Sequence, residues 1–221
     1  MNILLLFFLE LFILFFLSKE LQQKLAFFFY RITRSRRRAV ILLSIIFFPG
    51  TLIHELSHFI MAQILLVKTG EINLIPRFDG RKVTMGSVTV IGADPFRRIL
   101  IGVAPFLTGI SLILTLLFFT QKYHLLNTPW IIVISYSVFE ISNSMFSSKK
   151  DLEGMMIFIF LISIIVSIYI IFGGQIPFYV LASSISKDML YLFAQGTYYM
   201  AFPIILDLIV IFILRLLLKI M

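Results

Sequence analysis

The chain has 221 residues, of which 60% are hydrophobic and 14% charged, with 25 Phe and a formal net charge of +8. That balance is far from a soluble domain and reads as an integral membrane protein. The Lys and Arg residues are scattered among apolar runs, which argues against nucleic acid and for anionic lipid as the partner of the positive charge; the lack of cysteine excludes disulfides and thiolate metal sites, so a metal would have to be held by His and carboxylate.

A bilayer helix needs about 20 apolar residues. Six stretches approach this, at roughly 2–17, 39–67, 99–119, 130–147, 154–172 and 198–218. The expected fold class is therefore an all-α polytopic membrane protein with about six transmembrane helices and a small membrane-associated β-hairpin, a multi-pass protein of the cell membrane. Three parts are expected: an N-terminal transmembrane helix with a basic interfacial segment (1–38), a core carrying the chemistry (39–172), and an interfacial segment followed by a C-terminal transmembrane helix (173–221).

The first span is hydrophobic from Ile3, lacks a basic start and a small-residue cleavage site, and carries Glu10, so it reads as a retained helix and not a signal peptide. Residues 18–38 then combine Lys19, Lys24, Arg31, Arg34, Arg36, Arg37 and Arg38 with an apolar patch from Leu25 to Tyr30. An interfacial amphipathic helix and a solvated basic loop fit that pattern equally.

The second span contains His54-Glu55-Leu56-Ser57-His58, a His-Glu-x-x-His motif. On a helix, residues four apart share a face, so the two imidazoles can bind one metal ion while Glu55, one step round, reaches its water. Charged groups inside an apolar span are costly enough to mark function. Pro49-Gly50, just upstream, is expected to bend or interrupt the helix and to admit water.

Between Lys68 and Arg98, Glu71–Phe78 and Arg81–Ile91 are β-prone and joined by Asp79-Gly80, a tight-turn pair, which predicts a hairpin within 71–91. Strand edges cannot face hydrocarbon, so the hairpin belongs at the interface or in a protein-lined cavity, where a free edge can pair with an extended peptide. The third span carries small residues through Gly102–Gly109, suited to close helix packing. The fourth contains Glu140, Ser142, Asn143 and Ser144 and runs into a polar passage ending at Gly154. Pro177–Gln195 is amphipathic, interfacial or re-entrant, and the last span holds Asp207 and Arg215.

Catalytic zinc usually has three protein ligands. The extended metzincin pattern is excluded because Met61 and Ile64 stand where its conserved Gly and third His fall, and His124 lies in a loop after the third span. Spacing alone leaves Glu71, Asp79, Glu140, Asp151, Glu153 and Asp207 open as the third ligand. Asp151 follows the polar break at the end of a span parallel to the motif helix, so the break and His58 approach the same membrane face.

These residues carry a family resemblance. From the second span to about Gly154 the chain resembles the site-2 proteases, intramembrane zinc metalloproteases. His54, Glu55 and His58 match that family's first motif; Ala104-Pro105-Phe106-Leu107-Thr108 is similar to its Gly-Pro-x-x-Asn element; Asn143 with Asp151 eight residues later is similar to its Asn-x-x-Pro…Asp-Gly element. Phe146 stands at the expected Pro, and Leu152 follows the Asp. The resemblance implies one Zn2+ per chain held by His54, His58 and Asp151, with Glu153 as the substitute ligand. It also implies Glu55 as general base, Asn143 as an auxiliary catalytic residue, and a hairpin that helps hold unwound substrate.

The implied function is hydrolysis of peptide bonds in or near the transmembrane segments of membrane-protein substrates, with the lipid bilayer and no nucleic acid as surroundings. The alternative is a non-proteolytic metal-binding membrane protein of the same fold that binds a partner. The Lys and Arg residues divide almost evenly between the two faces, so charge gives no orientation.

Overall fold

The computed structural model describes residues 2–79, 82–84, 86–146, 149–173 and 187–220. Among these, seven α-helices dominate: α1 (Asn2–Thr33), α2 (Arg36–Ile46), α3 (Phe48–Ile64), α4 (Pro95–Lys122), α5 (Trp130–Ser144), α6 (Lys149–Ile171) and α7 (Lys187–Ile220). Two helical stretches, Pro95–Lys122 and Gly196–Ile220, are long and apolar enough to cross a membrane; α2 and α3 qualify together as one broken span bent by 74°.

Several boundaries differ from the sequence reading. The first span does not stop at residue 17 but continues to Thr33, because the apolar seam that holds it continues. Phe7, Leu11, Leu14, Ser18, Leu21 and Leu25 are all buried, alternating four and three residues apart as in a coiled-coil seam. Residues 18–33 therefore belong to a packed helix, and the chain turns only at Arg34, which adopts a left-handed φ of 49°. At the other end, Lys187–Gln195 is the start of α7, continuous with the last span; the remainder of the expected interfacial segment, 174–186, lies outside the described residues.

Helix α1 packs along α7 in the same direction: Phe7 and Leu11 share a core with Met200, and Leu21 and Leu25 share one with Ile211 and Leu214. Arg215 of α7 donates to Glu20 of α1 at 2.6 Å beyond that second cluster. Helix α5 fits against this pair through Ile134, Val138 and Ile141, and α4 closes the first cluster with Ile113 and Leu117. Gly109 of α4 lets α5 approach, since a Cβ there would lie 3.0 Å from Met145 Cβ. Away from these cores, Phe12, Phe118, Phe160 and Phe212 are exposed, a distribution suited to hydrocarbon rather than water.

The hairpin forms in two pieces. Strand β1 (Lys68–Asn73) pairs antiparallel with β4 (Ser87–Ile91), with an irregularity between Thr69 and Ile72, and β2 (Arg77–Asp79) pairs with β3 (Lys82–Thr84). The ladder starts three residues earlier than periodicity suggests and is interrupted around Pro76, which has no N–H to donate. Asp79 faces Lys82 across the turn; Gly80 lies outside the described residues.

The break between α2 and α3 positions the motif. It falls at Phe47, two residues before Pro49, and Pro49 occupies the first turn of α3, where a missing N–H costs nothing. Both sides of the break are repaired by α5. Tyr136 Oη donates to the Ile46 carbonyl at 2.8 Å, and the Gly50 N–H donates to Glu140 Oε2 at 3.2 Å. Phe47 offers no side-chain cap, so Glu140 serves as the acceptor for the N-terminus of α3 from another helix. The two helices touch so closely that a Cβ at position 50 would lie 2.6 Å from the Glu140 carbonyl oxygen and 2.9 Å from Ser144 Cβ. Gly50→Ala is therefore expected to force α3 off α5 at a cost of about 1–3 kcal/mol, read as a lowered melting temperature of the protein in detergent.

Candidate metal centre

Helix α3 presents His54 and His58 on one face, one turn apart, with ring centroids separated by 4.8 Å and planes nearly perpendicular. The Nε2 atoms are 3.2 Å from each other. Asp151, in the first turn of α6, brings one oxygen to both: Oδ2 lies 3.0 Å from His54 Nε2 and 3.3 Å from His58 Nε2. These are the one group of three or more His, Cys, Asp or Glu side chains among the described residues that converges in a way able to hold a metal ion.

The donor set fits a tetrahedral dication. Ligands bound at about 2.0–2.1 Å in a tetrahedron lie about 3.3 Å apart, close to the three separations observed. The hydrogen-bond pattern fits as well. His58 Nδ1 lies 2.8 Å from the Ile101 carbonyl of α4, which can only accept, so the proton sits on Nδ1 and Nε2 presents its lone pair. A backbone acceptor behind the imidazole is the usual device that fixes the tautomer and the ring plane of a metal-binding histidine. With that lone pair facing both a second imidazole nitrogen and a carboxylate oxygen, a shared cation is the natural neutraliser. The imidazole and carboxylate donors suit zinc among the common divalent ions. The side chains of His54, His58 and Asp151 are 2%, 11% and 16% exposed, so the site is nearly enclosed and opens on the Asp151 side.

Each element has a local reason for its placement. The α3 helix delivers the two imidazoles by its period. After α3 the chain turns through Leu66, at φ 55°, and Val67 packs with Ala62 and Ile101, which sets the Ile101 carbonyl behind His58. Asp94 caps α4 by accepting from the Arg97 N–H at 3.0 Å, with Pro95 in the first turn. Asp151 sits where a helix N-terminus favours negative charge.

The other candidates separate cleanly. Glu71, His124 and Glu153 are exposed, away from the cluster. Glu140 is committed to Gly50. Asp207 is fully buried and accepts from Asn143 Nδ2 at 2.9 Å, and Asn143 Nδ2 also donates to the Phe139 carbonyl at 3.0 Å. The Asn143 amide thus spends both N–H groups away from His54, His58 and Asp151. Its own carbonyl, in the last turn of α5, accepts from Ser18 Oγ at 3.0 Å and Gln22 Nε2 at 2.9 Å. The residue occupies a pin between α1, α5 and α7. Phe146, at the position where the resembled element has Pro, is buried with its ring 5.5 Å from that of Phe15 and 5.8 Å from that of Phe106.

Glu55 is 6% exposed and within electrostatic reach of both histidines and Asp151. Its neighbours include two residues that the sequence reading left unassigned. Gly86 packs on the carboxylate, and the Val88 main chain lies within electrostatic reach of it. An isolated Gly in a β-prone run is a signal of close backbone approach, and it was legible at Gly86.

His54→Ala, His58→Ala and Asp151→Ala should each lower the divalent metal bound per chain to near background, whereas Glu153→Ala and His124→Ala should leave it unchanged, by elemental analysis of purified protein. No family model, curated protein or solved structure matches this chain.

Proposed function

We propose that the protein is a multi-pass membrane metalloprotease of the site-2 protease type. Its substrates are membrane proteins cleaved in or near a transmembrane segment. The observation that carries this reading is the convergence of His54, His58 and Asp151, from opposite ends of the core, beside a buried glutamate one residue after the first histidine.

Zinc held by the three side chains would supply Lewis acidity toward a peptide carbonyl and toward water. Glu55 takes the proton of the attacking water as its oxygen bonds to the carbonyl carbon, and returns that proton to the leaving amine as the C–N bond breaks. The Ile101 carbonyl holds a proton on His58 Nδ1, so that Nε2 is the nitrogen turned toward His54 and Asp151. A substrate helix hides its peptide bonds, so cleavage requires a locally extended strand. Strand β4 has a strand partner on one side only and lies against α3, which makes its other edge the natural support for such a strand.

A second reading, a non-proteolytic metal-binding protein that engages a partner, is favoured by the same covering of Glu55 and by the engagement of both Asn143 N–H groups. The two readings diverge on turnover. Glu55→Gln should lower cleavage of a reconstituted transmembrane substrate by about 10²–10⁴-fold with zinc content unchanged. Full activity in that variant removes Glu55 from the mechanism, and zinc-loaded wild-type protein without turnover selects the non-proteolytic reading.

A further inference from the structure

Gly86 stands immediately before β4, in the gap between the two pieces of the hairpin. A Cβ at this position would lie 2.6 Å from Glu55 Oε1, 2.9 Å from Glu55 Cγ and 2.8 Å from Thr51 Cγ2. All three distances are shorter than real carbon contacts. Two residues on, the Val88 main chain comes within electrostatic reach of the same carboxylate. Among the described residues β4 pairs with β1 alone.

We propose that the Gly86–Val88 segment is a positioning element for Glu55: the Val88 N–H fixes the carboxylate, and Gly86 is the residue whose missing side chain lets the strand come close enough to do it. The proposal rests on the reading of Glu55 as general base. A carboxylate has about four lone-pair sites. One backbone donor uses part of one oxygen and leaves the other to take a proton from water. Held this way, a flexible side chain keeps one rotamer next to the two imidazoles instead of searching several. Because the donor is a main-chain group, no side-chain replacement at 88 removes it, and position 86 is the place where the contact can be broken.

Any side chain at 86 must displace something. If the strand lifts, the Val88 N–H leaves the carboxylate; if Glu55 turns away, the carboxylate leaves the N–H. Thr51 restricts both escapes, since its clashing methyl sits directly on the β-carbon. Both outcomes release the base without touching His54, His58 or Asp151.

The test uses the full-length protein in detergent and exploits its lack of cysteine. Gly86→Ala should keep about one zinc per chain and a KM within about two-fold of wild type, while kcat falls about 100-fold, the scale of an ångström's misplacement of a reacting group. Gly86→Val should fall further. Ile75→Ala, elsewhere on the hairpin, should leave all three quantities unchanged. Separately, the thiol introduced by Thr51→Cys should react with N-ethylmaleimide several-fold faster when combined with Gly86→Ala than with Gly86 intact. Unchanged kcat in Gly86→Ala overturns the positioning role, as does loss of zinc together with activity, which would mark a structural glycine. An unchanged alkylation rate overturns the seating of the hairpin on α3. If wild-type protein binds zinc but cleaves nothing, the hydrolytic reading fails, and with it the positioning of a base, while the alkylation arm still decides whether Gly86 seats the hairpin.

Discussion

A helix interrupted in apolar surroundings leaves backbone N–H and C=O groups that no water satisfies, and the structure depends on how this chain repairs that break. The motif helix α3 begins at such an interruption, and α5 supplies both missing partners from side chains one helical turn apart. Tyr136 donates to the last carbonyl before the bend, and Glu140 accepts from an N–H just after it. Each unsatisfied group of this kind would cost several kcal/mol in hydrocarbon, so the bend is stable only while α5 stays in place. Gly50 makes the arrangement possible, since the two helices meet where a side chain would stand.

The same helix is fixed at its other end. Its late carbonyl at Asn143 is bonded by Ser18 and Gln22 of α1, and the Asn143 amide by Asp207 of α7. Ser18 and Asp207 each replace an apolar residue in seams that are otherwise Leu, Ile, Phe and Met. This buried polar layer ties three helices to one register at the point where the chain leaves α5 for α6. The first turn of α6 carries Asp151 to His54 and His58. The candidate metal centre is therefore assembled from two helices, α3 and α6, whose relative position is set by a third, α5.

The hairpin adds a further layer around His58 and Glu55. It is connected to α3 by a short turn and to α4 by a capped helix start, and its two ends pack through Val67, Val90 and Ala93 into one cluster with Ile101, whose carbonyl orients His58. Its inner strand lies on Glu55. One stretch of chain, from Val67 to Ile101, thus touches both His58 and Glu55, the first through the Ile101 carbonyl and the second at Gly86.

The local patterns in the sequence were sufficient for the motif helix, the apolar segments, the hairpin region and the proximity of a break to Pro49-Gly50. Each of these follows from a period, a composition or a turn pair within a few residues. They were also sufficient to name His54, Glu55 and His58 together, because a helix puts them within one turn. Spacing did not select the third ligand, which lies 97 residues from His54, nor show that Glu140 caps a helix 90 residues away. It did not distinguish Asn143 beside the metal from Asn143 bonded to Asp207, since both use the same buried amide. The length of α1 escaped for a related reason: its charged residues look like an interface until the buried seam beneath them is seen. Contacts between residues far apart in the chain depend on how helices pack, and helix packing is decided by tertiary structure, not by the short-range periodicity that a sequence displays.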